Sequence, residues 1–73
     1  MTSTYFAKFY GDEARTLFSI VEEHGLPMGF RFDRVTKGWV LDMRIMWELQ
    51  GDMNVWEVTP EAAAELEARF RAA

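Results

Sequence analysis

Seventy-three residues make one domain, spanning 1–73, of the size at which a single core leaves only a few kcal/mol of net stability. Twelve acidic against eight basic residues leave a net charge of −4, which excludes a nonspecific nucleic-acid binder, because such affinity comes from neutralised phosphates. The absence of cysteine excludes a disulfide framework, a thiolate metal site and a cysteine nucleophile.

Thr4 to Tyr10 reads as a strand, with Tyr5, Ala7 and Phe9 on one face and Phe6, Lys8 and Tyr10 on the other. Gly11 ends it, and Asp12 is placed to cap a helix whose Ala14, Leu17, Phe18 and Val21 follow the i, i+3, i+4, i+7 spacing, with Ile20 widening the stripe. Gly25, Leu26 and Pro27 supply the stop. Met28 to Asp33 alternates as a second strand, and Thr36-Lys37-Gly38 turns it into a long third one. In that third strand Trp39, Leu41, Met43, Ile45, Trp47 and Leu49 alternate with Val40, Asp42, Arg44, Met46 and Glu48. At about 3.4 Å per residue it would span roughly 37 Å. A compact domain of this length is only about 29 Å across, so the strand must bend or overhang near Met46, Trp47 and Leu49.

Gln50-Gly51-Asp52 marks the next reversal, and Met53 to Val58 a shorter strand. Thr59 then caps a closing helix with Pro60 at its first position, Glu61 in its first turn and Ala63, Leu66, Phe70 and Ala73 as its buried stripe. The expected fold is an α+β two-layer sandwich in the order β-α-β-β-β-α. Its four-stranded, mostly antiparallel sheet carries both helices on one face and the first strand at an edge.

From Asp12 onward this order is similar to that of the double-stranded RNA-binding domain. That family opens its second helix with lysines that meet phosphates; here the positions read Thr59-Pro60-Glu61-Ala62-Ala63-Ala64-Glu65, and carboxylates there repel the backbone. The topology stands as an alternative, and the RNA function does not.

Chemistry-bearing motifs are sparse. His24, the one histidine, falls in the last turn of the first predicted helix, where its cation suits the dipole. One histidine without cysteine makes no zinc site, and no loop has calcium-binding spacing. Neither Ser3 nor Ser19 lies in a nucleophile turn, and the five glycines form no phosphate cradle. No catalytic, cofactor-binding or metal-binding residue is therefore expected, and the chain reads as a non-enzyme. Arg31, Arg34, Lys37 and Arg44 gather around Phe30, Phe32 and Trp39, but alternation turns the rings away from Arg31, leaving a solvated basic face over an aromatic core.

The acids are more suggestive. Glu22 and Glu23 close the first helix, Glu61, Glu65 and Glu67 line the second, and Asp52 and Glu57 lie near in sequence. Packed side by side, such helices would present a carboxylate field to a basic cleft, with Trp47 adding apolar surface. No apolar run approaches the roughly 18 residues of a membrane span and no leader opens the chain, so a cytoplasmic protein is expected.

In this style of chain, small, acidic, aromatic-rich and without catalytic groups, the protein resembles the small phage-encoded inhibitors of bacterial defence. Anti-CRISPR proteins are among them, some acting as acidic mimics of nucleic acid. The resemblance implies a non-enzymatic inhibitor that binds a basic, nucleic-acid-binding surface of a protein machine such as a CRISPR effector complex. Glu22, Glu23, Glu57, Glu61, Glu65, Glu67 and Trp47 would then be its contacts, with no cofactor and no direct nucleic-acid binding. The alternative is a self-associating structural or regulatory dimer using the long strand and exposed aromatics.

Overall fold

Two glycine-containing turns convert nearly the first half of the chain into a β-meander. In the computed structural model, which describes residues 1–51 and 53–73, β1 (Thr2–Tyr10), β2 (Glu13–Glu23) and β3 (Leu26–Asp33) follow one another directly. Gly11 at φ 63° opens the two-residue loop between β1 and β2. His24 at φ 54° and Gly25 at φ 79° form the loop between β2 and β3, with both residues in the left-handed region that a type I′ hairpin requires. β4 (Gly38–Leu41), α1 (Ile45–Gly51), β5 (Val55–Val58) and α2 (Pro60–Ala72) complete the chain.

The α+β class holds, but the sheet has five strands in the order β4-β3-β2-β1-β5, every neighbouring pair antiparallel. The first strand is therefore internal rather than at an edge. The helix expected between Asp12 and His24 is the strand β2, and its helix-like spacing has two causes. Lys8 pairs with Thr16 but Phe9 with Ala14, so Arg15 is the extra residue of a bulge. Ala14 and Leu17, three apart, thereby reach the same face, while Phe18 is buried on the other. A strand buried on both faces and bulged once imitates a period near 3.6.

The long strand expected from Trp39 to Leu49 stops at Leu41. Residues 27, 29 and 31 of β3 turn their backbone groups toward β4, as the bond from Asp42 N–H to the Gly29 carbonyl (2.9 Å) shows. Pro27 has no N–H to offer further along that edge. Asp42 then caps the turn into α1, its Oδ1 accepting from the backbone N–H of Arg44 at 3.1 Å. Asp52, expected in the following reversal, lies outside the described residues.

The helices lie on opposite faces of the sheet, not together on one. Phe32 of β3 meets Phe70 of α2 with ring centroids 6.1 Å apart. Gly29, an odd number of residues away and so on the other face, sits under Ile45 of α1. The main core, beneath α2, joins Ala7, Ala14, Leu17, Phe32, Ala63, Leu66 and Phe70. Phe18 and Ile45, 2% and 0% exposed, are buried outside that core, on the α1 side of the sheet. The closing helix matches its expectation at its start, where the Thr59 hydroxyl accepts from Ala62 N–H at 3.1 Å and Pro60 stands at the first turn, and in its buried Ala63, Leu66 and Phe70, but Ala73, expected in that stripe, is the exposed C-cap.

Candidate interaction surface

The position of α2 determines which part of the sheet stays open. Its C-terminal end is tied to the β3–β4 hairpin, where Lys37 Nζ donates to the carbonyls of Arg71 (2.7 Å) and Ala73, a cation at the negative end of the helix dipole. Arg34 lies 4.4 Å above the Phe70 ring and Arg71 5.1 Å above Phe32. The Trp39 indole N–H donates to Glu67 Oε1 at 3.2 Å. Held there, a helix of 13 residues is about 20 Å long, whereas β2, with 11, runs roughly 33 Å, close to the 34 Å long dimension of the molecule. One end of the sheet face is left uncovered.

Pairing register identifies what faces outward there. Tyr5 pairs with Ser19 and Ser19 with Phe30; Ser3 pairs with Val21 and Val21 with Met28; Phe30 pairs with Leu41. With Trp39, these residues surround a recess of about 240 Å³ lined by Ser3, Tyr5, Ser19, Val21, Phe30 and Trp39. Leu26, Met28 and Leu41, respectively 69%, 40% and 52% exposed, extend it toward the β2–β3 turn and the β4 edge. Among the described strand residues of this shelf, Glu23, opposite Leu26 at the corner, is the one that brings a charge to this face, and the Glu67 carboxylate meets it at Trp39. The sheet also narrows here, since β4 pairs only with 30–33 of β3 and β5 only with 5–8 of β1. A three-stranded shelf projects past α2.

The predicted contact residues do not converge. Glu61 and Glu65 are exposed on α2, but Glu67 is engaged by Arg71 at 2.9 Å and by Trp39. Glu57 pairs with Phe6 and Glu22 with Thr2, on the face opposite α2, and Glu23 ends β2. Trp47, 77% exposed, belongs to α1 on that opposite face. The carboxylate field expected from two helices packed side by side is absent among the described residues because Glu22 and Glu23 are on a strand and the helices are separated by the sheet.

The basic residues of the β3–β4 region are used internally. Besides Arg34 and Lys37, Arg31 and Arg44 both bind Asp42, at 3.4 and 2.9 Å. Hydrogen bonding from the Arg44 side chain, followed by its backbone N–H and its charge and by Arg31, brings the Asp42 carboxyl from the ordinary 3.8 to about 2. The recess itself carries two serine hydroxyls and the Tyr5 phenol, while His24 sits 89% exposed at a turn. Among the described residues no cluster of His, Cys, Asp and Glu could hold a metal ion, and no helix is long and apolar enough to cross a membrane.

The apolar parity of Phe30, Trp39 and Leu41 was visible in the sequence. Ser19 and Val21 were hidden by the helical spacing of β2. Comparison with protein-family models, with curated proteins and with solved structures found no match to this chain.

Proposed function

We propose that this chain is a non-catalytic protein-interaction module that works by contact, with the uncovered shelf as its working surface. One observation carries the reading: where 27% of residues are charged, the part of the face that projects past α2, formed by Val21, Met28, Phe30 and Leu41 with Tyr5 and Trp39 at its boundary with the helix, is apolar apart from Glu23 at its corner, and among the described residues no element crosses it. Continuous exposed apolar surface of this kind marks interaction sites in small proteins.

A second reading, an acidic inhibitor docking on the basic groove of a nucleic-acid machine, is favoured by the exposed Glu61 and Glu65 on the outer side of α2. One experiment separates the two. Immobilised wild type, Leu41→Glu and the Glu61→Lys/Glu65→Lys pair are exposed to lysate of the native host, and retained proteins are quantified. The module reading expects retention by wild type and by the lysine pair, and its loss with Leu41→Glu. Loss confined to the lysine pair and steepened by salt supports the inhibitor; identical profiles for all three overturn both.

A further inference from the structure

The geometry points to the recess as the seat of a tyrosine side chain presented by a protein partner, with Ser19 as its hydrogen-bonding floor. The inference rests on the reading of the shelf as a contact surface and names the anchor that the surface receives. A serine is what makes the recess. Tyr5 and Phe30 are the two cross-strand partners of Ser19, and residues so paired have Cβ atoms about 5 Å apart. One small side chain between two rings leaves a well. Trp39 closes it toward α2, its indole N–H bonded to Glu67 at 3.2 Å and its ring 6.4 Å from that of Tyr5.

The floor is polar and unsatisfied. Ser19 is 4% exposed, yet its hydroxyl has no hydrogen-bond partner among the described residues, and none of their side-chain oxygens or nitrogens is both shut off from solvent and unpaired. The hydroxyl therefore opens into the recess that it lines. It offers one donor and two acceptor positions to whatever enters, and a group that met it without bonding would leave it desolvated at a cost.

Size and charge select the ring. An apolar cavity of about 150 Å³ takes benzene, and the recess measures about 240 Å³, room for one ring with a substituent. A phenol carries its hydroxyl at the tip of the ring, so that a side chain entering end-on brings it to the floor. Indole holds its N–H at an edge, and a phenyl ring has no polar group. No base lines the recess to receive a phosphate or carboxylate, and Glu23 and Glu67 at its margins repel one, so the ring is neutral. Small-molecule sites enclose roughly 70–90% of their ligand, whereas this recess opens onto the shelf, where Leu26, Met28 and Leu41 stand exposed. An anchoring side chain surrounded by a rim that excludes water has that arrangement.

The test titrates N-acetyl-tyrosinamide, N-acetyl-phenylalaninamide and p-cresol into the full chain and follows the NMR shifts of the Ser19 and Phe30 amides and the Trp39 indole. Saturable binding in the millimolar range is expected for the tyrosine amide and for p-cresol, and binding about fivefold weaker for the phenylalanine amide. Ser19→Ala erases that ratio; Ser19→Leu fills the well and abolishes binding of all three, with circular dichroism verifying the fold. Should Ser19→Leu not fold, the ratio measured on Ser19→Ala decides alone. No saturation by the tyrosine amide overturns the inference, as does equal binding of both amides to the wild type. Saturation by p-cresol alone also overturns it, because the recess then takes a free phenol and no side chain. If the tyrosine amide does not bind while Leu41→Glu still abolishes retention of a lysate protein, the anchor falls and the contact reading stands. If the amide binds while retention is insensitive to Leu41→Glu, the contact reading falls and takes the protein partner with it.

Discussion

A Cβ atom built on Gly29 would lie 2.6 Å from Cγ1 of Ile45 and 3.0 Å from the carbonyl oxygen of Asp42, so the absence of a side chain at this one position lets α1 lie against β3. Gly29→Ala is expected to cost about 1–3 kcal/mol, read in a urea melt, with loss of protection of the amides of residues 45–49 in hydrogen exchange. Asp42 holds the same junction by a different force. Its folded-state value is lowered, to about 2, so the ionised carboxylate stabilises the fold above the ordinary 3.8, and that contribution disappears as pH falls toward 2. A wild-type acid melt should therefore lose stability in that window. Asp42→Asn should be less stable than wild type at neutral pH by about 1 kcal/mol, mainly because the bonds from Arg44 and Arg31 lose their charge assistance, and the difference should shrink below pH 3.

At the scale of elements, the turns decide more than the strands they join. His24 and Gly25 both hold positive φ, and a β-branched residue at either position would be strained there. Asparagine is the residue most at ease in the first position of a type I′ loop. His24→Asn should raise Tm by a few degrees in a thermal scan, even though it removes the exposed 3.9 Å contact with Glu23, because such surface pairs contribute little. A fall in Tm would show that the histidine has a role beyond the turn. The loop pair and the Gly11-Asp12 pair were both present in the sequence as hairpin signals, but the apolar spacing of Ala14, Leu17, Phe18 and Val21 outweighed them. The spacing was misleading because burial on two faces and the bulge at Arg15 together erase the period of two. Trp39 to Leu49 erred in the opposite direction: a strict alternation continued through a segment whose neighbour, at Pro27, could no longer pair with it.

For the whole molecule, two unequal layers on opposite faces of one sheet leave a shelf exposed, and stability should depend on whether it is covered. If a tyrosine ring fills its recess, Tm rises with the concentration of N-acetyl-tyrosinamide, because a ligand that binds only the folded state stabilises it by mass action. Calorimetry at several concentrations should show that slope for wild type and a flat line for Ser19→Leu. The acid pattern belongs to this scale as well. Glu57, Glu61 and Glu65 recur every four residues and Glu22 shares their charge, but Glu22 and Glu57 lie on the face of the sheet opposite α2, and no local rule in the chain could have shown that. The closing helix, by contrast, was legible to the residue in its cap, its first-turn proline and its buried Ala63, Leu66 and Phe70, because capping and amphipathic spacing act within a few residues of one another. The sequence by itself thus determined the mixed α+β class, the strands at Thr4–Tyr10 and Met28–Asp33, and α2. Tertiary structure alone decided that β2 is a strand, that β1 is central, and that the helices face away from each other, because those outcomes depend on what packs against each face and on donors contributed by a neighbouring strand.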